Sequence, residues 1–221
     1  MPIITTRGQS GSGAPEIGKL VAVHFNIDYV DREIIAEVAA NLHYPEQKIE
    51  KQEMPPTGLV KRVLDAIEHS YPPVPDTAAF HPAFMYLPPS EMPLADSGYL
   101  SGLESVIKGL AAGNSIVIRG RGSQFILKDY PGAFHVLTVA PLETRIKRVM
   151  NIMNLDEKSA RQKINSFDNS RREFIKRYFK ADLEDPVHYD LVINTEHLNY
   201  DAAAALVIKA ISLKEQFTQL V

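Results

Sequence analysis

The chain has 221 residues and a near-balanced charge, with 24 Lys and Arg against 27 Asp and Glu. That length buries a core without a disulfide or structural metal, and the balance excludes a polybasic nucleic-acid arm or an acidic tail as the main feature. With no cysteine, no apolar run near the roughly 20 residues of a membrane helix and no signal-peptide pattern at the start, thiol chemistry is excluded, and a cytoplasmic protein with no membrane partner is expected.

Residues 2–6 form a β-branched run, followed at once by Arg7-Gly8-Gln9-Ser10-Gly11-Ser12-Gly13. Ile17, Leu20 and Val21 then recur at helical spacing behind Pro15, which suits a first helical turn. The opening unit is therefore strand, glycine loop, helix. A second helix is expected from about residue 30 to 42. Residues 71–95 hold 7 of the 15 prolines, with Phe80, Phe84 and Tyr86 among them. Proline at that density forbids a long helix or a central strand, which leaves an ordered loop or lid, or a disordered linker.

Regular alternation returns with a helix over 99–112, a buried strand over 115–118 and a short helix ending near 127. A strand over 133–139, helices over 142–153 and 156–179, a strand over 189–193 and a helix over 201–213 follow. Between residues 143 and 180 there are 11 Lys and Arg against 5 Asp and Glu, so a basic helical segment rides on an acidic remainder. Strands alternating with helices predict a three-layer α/β/α sandwich with a parallel sheet.

Gly8, Gly11 and Gly13 let the backbone turn tightly and leave N–H groups free to converge on an anion at a helix N-terminus. The loop departs from G-x-x-x-x-G-K-[ST], however. Starting at Gly8, the pattern asks for lysine at 14 and a hydroxyl residue at 15, where the chain has Ala14 and Pro15. The phosphate-neutralising cation and the magnesium-holding hydroxyl are both missing, and Lys19 lies more than a turn further along. Glu16 either meets a magnesium ion or repels a triphosphate. The seven histidines show no metal-ligand spacing, and no residue is assigned as a metal ligand.

Several short patterns in order resemble the cytidylate kinase-like family. They are Ile3-Ile4-Thr5 with Gly11-Ser12-Gly13 and Glu16-Ile17-Gly18, then Tyr29-Val30-Asp31-Arg32-Glu33, Gly120-Arg121-Gly122 and Ala140-Pro141-Leu142-Glu143. Arg145 with Arg148, Asp168-x-Ser170-Arg171, Asp185-Pro186 and Tyr189 through Thr195 continue the series. The match leaves the proline-rich middle uncovered. The resemblance implies a P-loop nucleoside monophosphate kinase fold over 1–221, an acceptor or lid region or insertion over 43–96, and a basic helical lid over 143–180.

It also implies ATP and Mg²⁺ as donor and cofactor, with a small-molecule nucleotide as partner. Gly8, Ser10, Gly11, Ser12 and Gly13 would hold the donor phosphates, with Arg145, Asn194 and Thr195 on the donor side. Asp31, Arg32 and Arg121 would face the acceptor, while Arg121, Arg171 and Arg172 would act on the transferring phosphoryl group. Arginine suits these roles because its planar fork pairs bidentately with phosphate oxygens.

Other readings stand beside these. Asp31 and Arg32 equally fit a helix start, and Arg145, Lys147 and Arg148 equally fit a solvated helix face. Arg171 and Arg172 equally fit surface ion pairs. Two function classes remain: a nucleotide kinase, or a non-catalytic nucleotide-binding protein on the same fold, favoured by Ala14 and Pro15. Aromatic residues do not interleave with the basic segment, so no nucleic-acid partner is expected. A homodimer through the aromatic, proline-rich stretch is a further expectation.

Overall fold

A computed structural model describes residues 2–31, 97–113 and 115–218. The opening apolar run forms strand β1 (Ile3–Gly8), which occupies the centre of a five-stranded sheet. β3 (Ile116–Arg119) and β4 (Ala133–Val139) pair with β1 on either side, β2 (Asp28–Val30) lies outside β3, and β5 (Leu191–Asn194) lies outside β4. All four pairings are parallel, so every strand delivers its carboxyl end to one edge of the sheet. In an open parallel sheet that edge is where ligands bind.

Side chains alternate across β1, and both faces are covered. Ile4 packs with Ile17 of α1 (Ala14–Phe25) and Val207 of α6 (Tyr200–Thr218). Ile3 packs on the opposite face with Leu103 and Ile107 of α2 (Ser97–Ala112) and with Phe174 of α5 (Glu157–Phe179). Burial on two faces explains why β1, β3 and β4 read as apolar runs rather than alternating strands. The result is the expected three-layer α/β/α sandwich.

Between β3 and β4 runs one short helix, α3 (Ser123–Ile126). α4 (Leu142–Met153) and α5 form an antiparallel hairpin with a core of its own, built from Ile146, Val149, Ala160 and Ile164. Asn154 ends α4 in the left-handed region and donates its N–H to Met150 O. Asp156 then caps α5 by accepting from Ser159 N at 2.9 Å. Among the described helices, none is long and apolar enough to cross a membrane.

The strand and helix sites expected after residue 97 all form, with ends shifted by a few residues. One assignment changes. Val30 closes strand β2 instead of opening a helix. Three residues after a left-handed Asn26 are too few to carry a period of two, so side-chain pattern could not reveal the strand. Asp31 is not helical, and residues 32–42 of the expected helix, with the whole proline-rich segment 71–95, lie outside the described residues.

β5 is tied to its neighbour by a partly exposed polar cluster. Asp190 Oδ2 accepts from His135 N at 2.8 Å, Asp190 N donates to His135 O at 2.8 Å, and Lys214 Nζ donates to Asp190 Oδ1 at 2.6 Å. The His135 ring is buried, with Nδ1 2.8 Å from Thr5 Oγ1. Burial lowers its pKa; Lys214 acts in the same direction, while Asp190 and the Leu127 backbone oppose it. The unfolded chain therefore takes up a proton near pH 6.5 that the folded protein resists, so stability falls as pH drops below about 6.5. Denaturant unfolding compared at about pH 7.5 and 5.5 should show a smaller acid-side loss in His135→Gln than in the native chain. An identical loss in both would exclude His135 as a source.

Candidate functional site

The loop between β1 and α1 owes its shape to groups that hold its carbonyls. Arg145 Nη1 donates to Ser10 O at 3.3 Å, Arg148 Nη1 to Gly11 O at 3.3 Å, and Thr195 Oγ1 to Ser12 O at 2.9 Å. In a trans peptide the carbonyl and the following N–H point in opposite directions. Drawing three successive carbonyls outward therefore turns the amides of Gly11 and Gly13 away from these groups. Ser12 N instead closes a turn on Gln9 O at 3.0 Å, and Ser12 Oγ shares a 2.7 Å bond with Thr138 Oγ1. Gly11 and Gly13 both have positive φ, 84° and 90°. A Cβ at Gly11 would press on the Arg145 backbone, and one at Gly13 would strike the Tyr200 ring.

A cleft of about 190 Å³ opens over this loop and over the first turn of α1 at Ala14, Pro15 and Glu16. The α4–α5 hairpin forms its other wall through Val149, Ile152, Met153 and Phe167, while Arg119, Lys163 and Arg171 give it positive charge. Arg171 is one of the hairpin's direct links to the loop, with Nη1 donating to Ser10 Oγ at 3.1 Å. Asp168, one turn earlier, is buried. Its Oδ1 accepts from Ser10 N at 2.9 Å and its Oδ2 from Arg145 Nη1 at 2.7 Å. A carboxylate thus already occupies one amide of the loop.

The remaining candidate residues separate into distinct environments. Arg145 is buried and engaged with Ala140 O, Ser10 O and Asp168, so it braces the loop. Thr195 is buried against the loop backbone. Asn194 is exposed and caps Glu196 N with its own Oδ1 at 3.0 Å. Asp31 forms a two-point pair with Arg119, at 3.0 and 2.7 Å. Arg121 sits at φ 54° between two left-handed glycines just past β3. Arg172 points to the exposed side, bonded to Asn169 at 2.7 Å and paired with Glu184 at 3.3 Å. Arg32 lies outside the described residues.

Lys19 lies 5.9 Å over the Tyr29 ring, on the side of α1 facing β2. Arg148, Asp168 and Tyr200 are the participants that residue pattern left unassigned. Arg148 reaches Thr195 O at 2.6 Å and lies 5.4 Å from the Tyr200 ring centre. Spacing held the clue: Arg145 and Arg148 are three apart and share a helix face, whereas Lys147 between them is exposed.

A protein-held magnesium ion does not fit these residues. Ala14 and Pro15 offer no oxygen, the Ser12 hydroxyl is engaged with Gln9 O at 2.7 Å and with Thr138, and among the described residues no group of three metal-ligating side chains exists. Among the described residues lining the cleft, the one carboxylate is Glu16.

Arg145 and Asp168 are a buried pair whose separation leaves Asp168 and two carbonyls short of a donor. Arg145→Met should therefore lower unfolding stability by about 3 kcal/mol or more, whereas Lys147→Ala should change it by less than about 0.5 kcal/mol. Equal effects in urea denaturation would remove Arg145 as the brace of the loop.

Comparison with known proteins places this geometry. The cytidylate kinase of Thermoplasma acidophilum is 28% identical over 113 residues, 49% of this chain and 60% of that one. The uronate isomerase of Corynebacterium glutamicum is 31% identical over 98 residues, 44% of this chain and 19% of that one. The chain thus spans less than two thirds of the length of these curated relatives. The solved structure of an uncharacterised protein from Eubacterium ventriosum superposes with a TM-score of 0.67 over 96% of this chain and 99% of that one, at 22% identity, a likeness of fold. The cytidylate kinase-like family matches residues 3–197, from the first residue of β1 to just past β5, and the chain belongs to that family.

Proposed function

We propose that this protein transfers the terminal phosphoryl group of ATP to a nucleoside monophosphate or another small phosphorylated acceptor. The observation that carries the reading is the hold of Arg145, Arg148 and Thr195 on the carbonyls of Ser10, Gly11 and Ser12, which by peptide geometry turns the Gly11 and Gly13 amides the other way, beside a hairpin whose Arg171 touches the same loop. Backbone N–H groups at a helix N-terminus hold phosphate oxygens, and the helix dipole adds to them. The β- and γ-phosphates would lie along residues 8–13, with Arg171 and Lys163 above them and Arg119 at the far end of the cleft. Mg²⁺ would arrive with the triphosphate, held by its oxygens and water.

Phosphoryl transfer asks little covalent chemistry of the protein and much positioning and charge stabilisation. The α4–α5 hairpin would serve as the lid, closing over the cleft and excluding water. Asp168 accepts from the Ser10 amide and from Arg145, and pairs with Arg171 at 3.6 Å, as a phosphate would. Donor binding would loosen that contact and free Arg171 for the γ-phosphate. Asp31 and Arg119, paired at the ends of β2 and β3, would face the acceptor together with Arg32 and Arg121.

A second reading, a non-catalytic nucleotide binder, is favoured by two features of the loop. No cation follows Gly13, and Pro15 removes one amide donor from the first turn of the helix.

Thermal melting against nucleoside mono-, di- and triphosphates, with and without magnesium, tests the proposal, since a ligand of the folded state raises the melting point. Kinase activity predicts stabilisation by ATP with magnesium and, separately, by one monophosphate, followed by turnover with that pair. Stabilisation by one nucleotide class, indifferent to magnesium and without turnover, supports the binder instead. Arg171→Ala should lower turnover about 100-fold, the equivalent of ~3 kcal/mol of lost transition-state stabilisation, while Arg172→Ala should leave it within about threefold. Comparable losses in both variants, measured as kcat, would refute the role given to Arg171.

A further inference from the structure

Arg7 is the residue before the loop, and it points the other way. Gly8, at the next position of β1, faces α1, where a Cβ would meet Ala14, Ser12 and Thr138. Arg7 consequently projects to the face shared by α3 and α5. Among the described residues its half-buried guanidinium makes one hydrogen bond, Nη1 to Gly8 O at 2.7 Å, and no salt bridge. Four of its five N–H donors have no acceptor among the described residues.

The acids that act on Arg7 are engaged elsewhere. Asp168 is held by Ser10 N and Arg145, and Glu184 pairs with Arg172. Arg119, itself paired with Asp31, adds a second guanidinium nearby. Tyr189, whose burial pushes its pKa up to about 12, stays a neutral phenol that donates to Leu183 O at 2.6 Å and accepts from Gln124 Nε2 at 3.2 Å. The same wall holds two buried polar atoms with no hydrogen-bond partner, Gln124 Oε1 and Ser123 Oγ. Burial lowers the Arg7 pKa, the mark of a cation short of compensation.

A half-buried guanidinium with open donors, a second arginine nearby and no carboxylate paired to it among the described residues matches a dianionic oxygen cluster. We propose that Arg7 forms a second phosphate-binding position, across β1 from the glycine loop, that takes the phosphate of the acceptor. This rests on the phosphotransfer reading for the identity of the ligand, and on the geometry of β1 for its place. β1 would then carry both partners of the transfer at one strand end: donor phosphates on the loop side and acceptor phosphate on the Arg7 side.

The experiment compares the full-length native chain with Arg7→Met and Arg7→Lys by thermal melting, first without ligand and then against inorganic phosphate, CMP and ATP. Without ligand, Arg7→Met is expected to melt higher than the native chain, because an uncompensated cation is removed; a merely structural arginine would make it melt lower. Arg7→Met should need at least tenfold more phosphate or CMP for the same shift, with its ATP response within twofold of native and Arg7→Lys between the two.

Native-like responses to phosphate and CMP in Arg7→Met would overturn the proposal, as would a native chain that responds to neither. A lost ATP response with an intact CMP response would assign Arg7 to the donor and overturn the acceptor assignment. An Arg7-dependent phosphate response in a protein indifferent to ATP would remove the kinase reading and leave the phosphate position standing.

Discussion

Everything at the carboxyl edge of the sheet depends on which way the loop's peptide planes face. A glycine loop has no preferred orientation of its own, because glycine adopts either sign of φ. Here Arg145, Arg148 and Thr195 hold the carbonyls of Ser10, Gly11 and Ser12, and the amides of Gly11 and Gly13 are thereby turned away from those groups. These groups come from α4 and from the residue after β5, so the loop takes its final form only once the hairpin and the last strand have docked.

That dependence changes the part played by the basic segment. A local excess of positive charge suggests arginines reaching for an anion, yet the two best-buried of them on α4 reach for backbone oxygen instead. Arg145 is among the buried residues and meets Asp168, so its charge is neutralised inside the protein. Such a buried pair adds little net stability over apolar packing, but breaking it is expensive. Its contribution is geometric: it makes one arrangement of the loop far better than any other. Among the described residues, the basic side chains that line the cleft are Arg119, Lys163 and Arg171.

Asp168 joins the loop to the hairpin by filling a donor position that suits a phosphate oxygen. A carboxylate and a phosphate are interchangeable to an N–H group and to a guanidinium, differing in charge and in number of oxygens. The contact therefore links the position of α5 to what occupies the loop. The small core of Ile146, Val149, Ala160 and Ile164 holds α4 to the first half of α5, while Phe174 and Ile175 anchor the second half of α5 in the main core.

The amino-acid sequence by itself determined the layered α/β architecture, because apolar runs of strand length alternating with amphipathic helices have one economical packing, a parallel sheet covered on both faces. It also showed the loop's position between β1 and α1 and the missing lysine and hydroxyl at Ala14 and Pro15, since these are properties of adjacent residues. The strand β2 was hidden because three residues carry no period. Tertiary structure alone decided which basic residues meet the cleft. Arg171 turns in and Arg172 out, although they are neighbours, because α5 advances about 100° per residue and its fixed packing at Phe174 and Ile175 sets the phase. Likewise, Arg145 could read equally as a solvated lysine-like charge or a phosphate ligand until Asp168 was seen beside it, 23 residues away in the chain and 2.7 Å away in space.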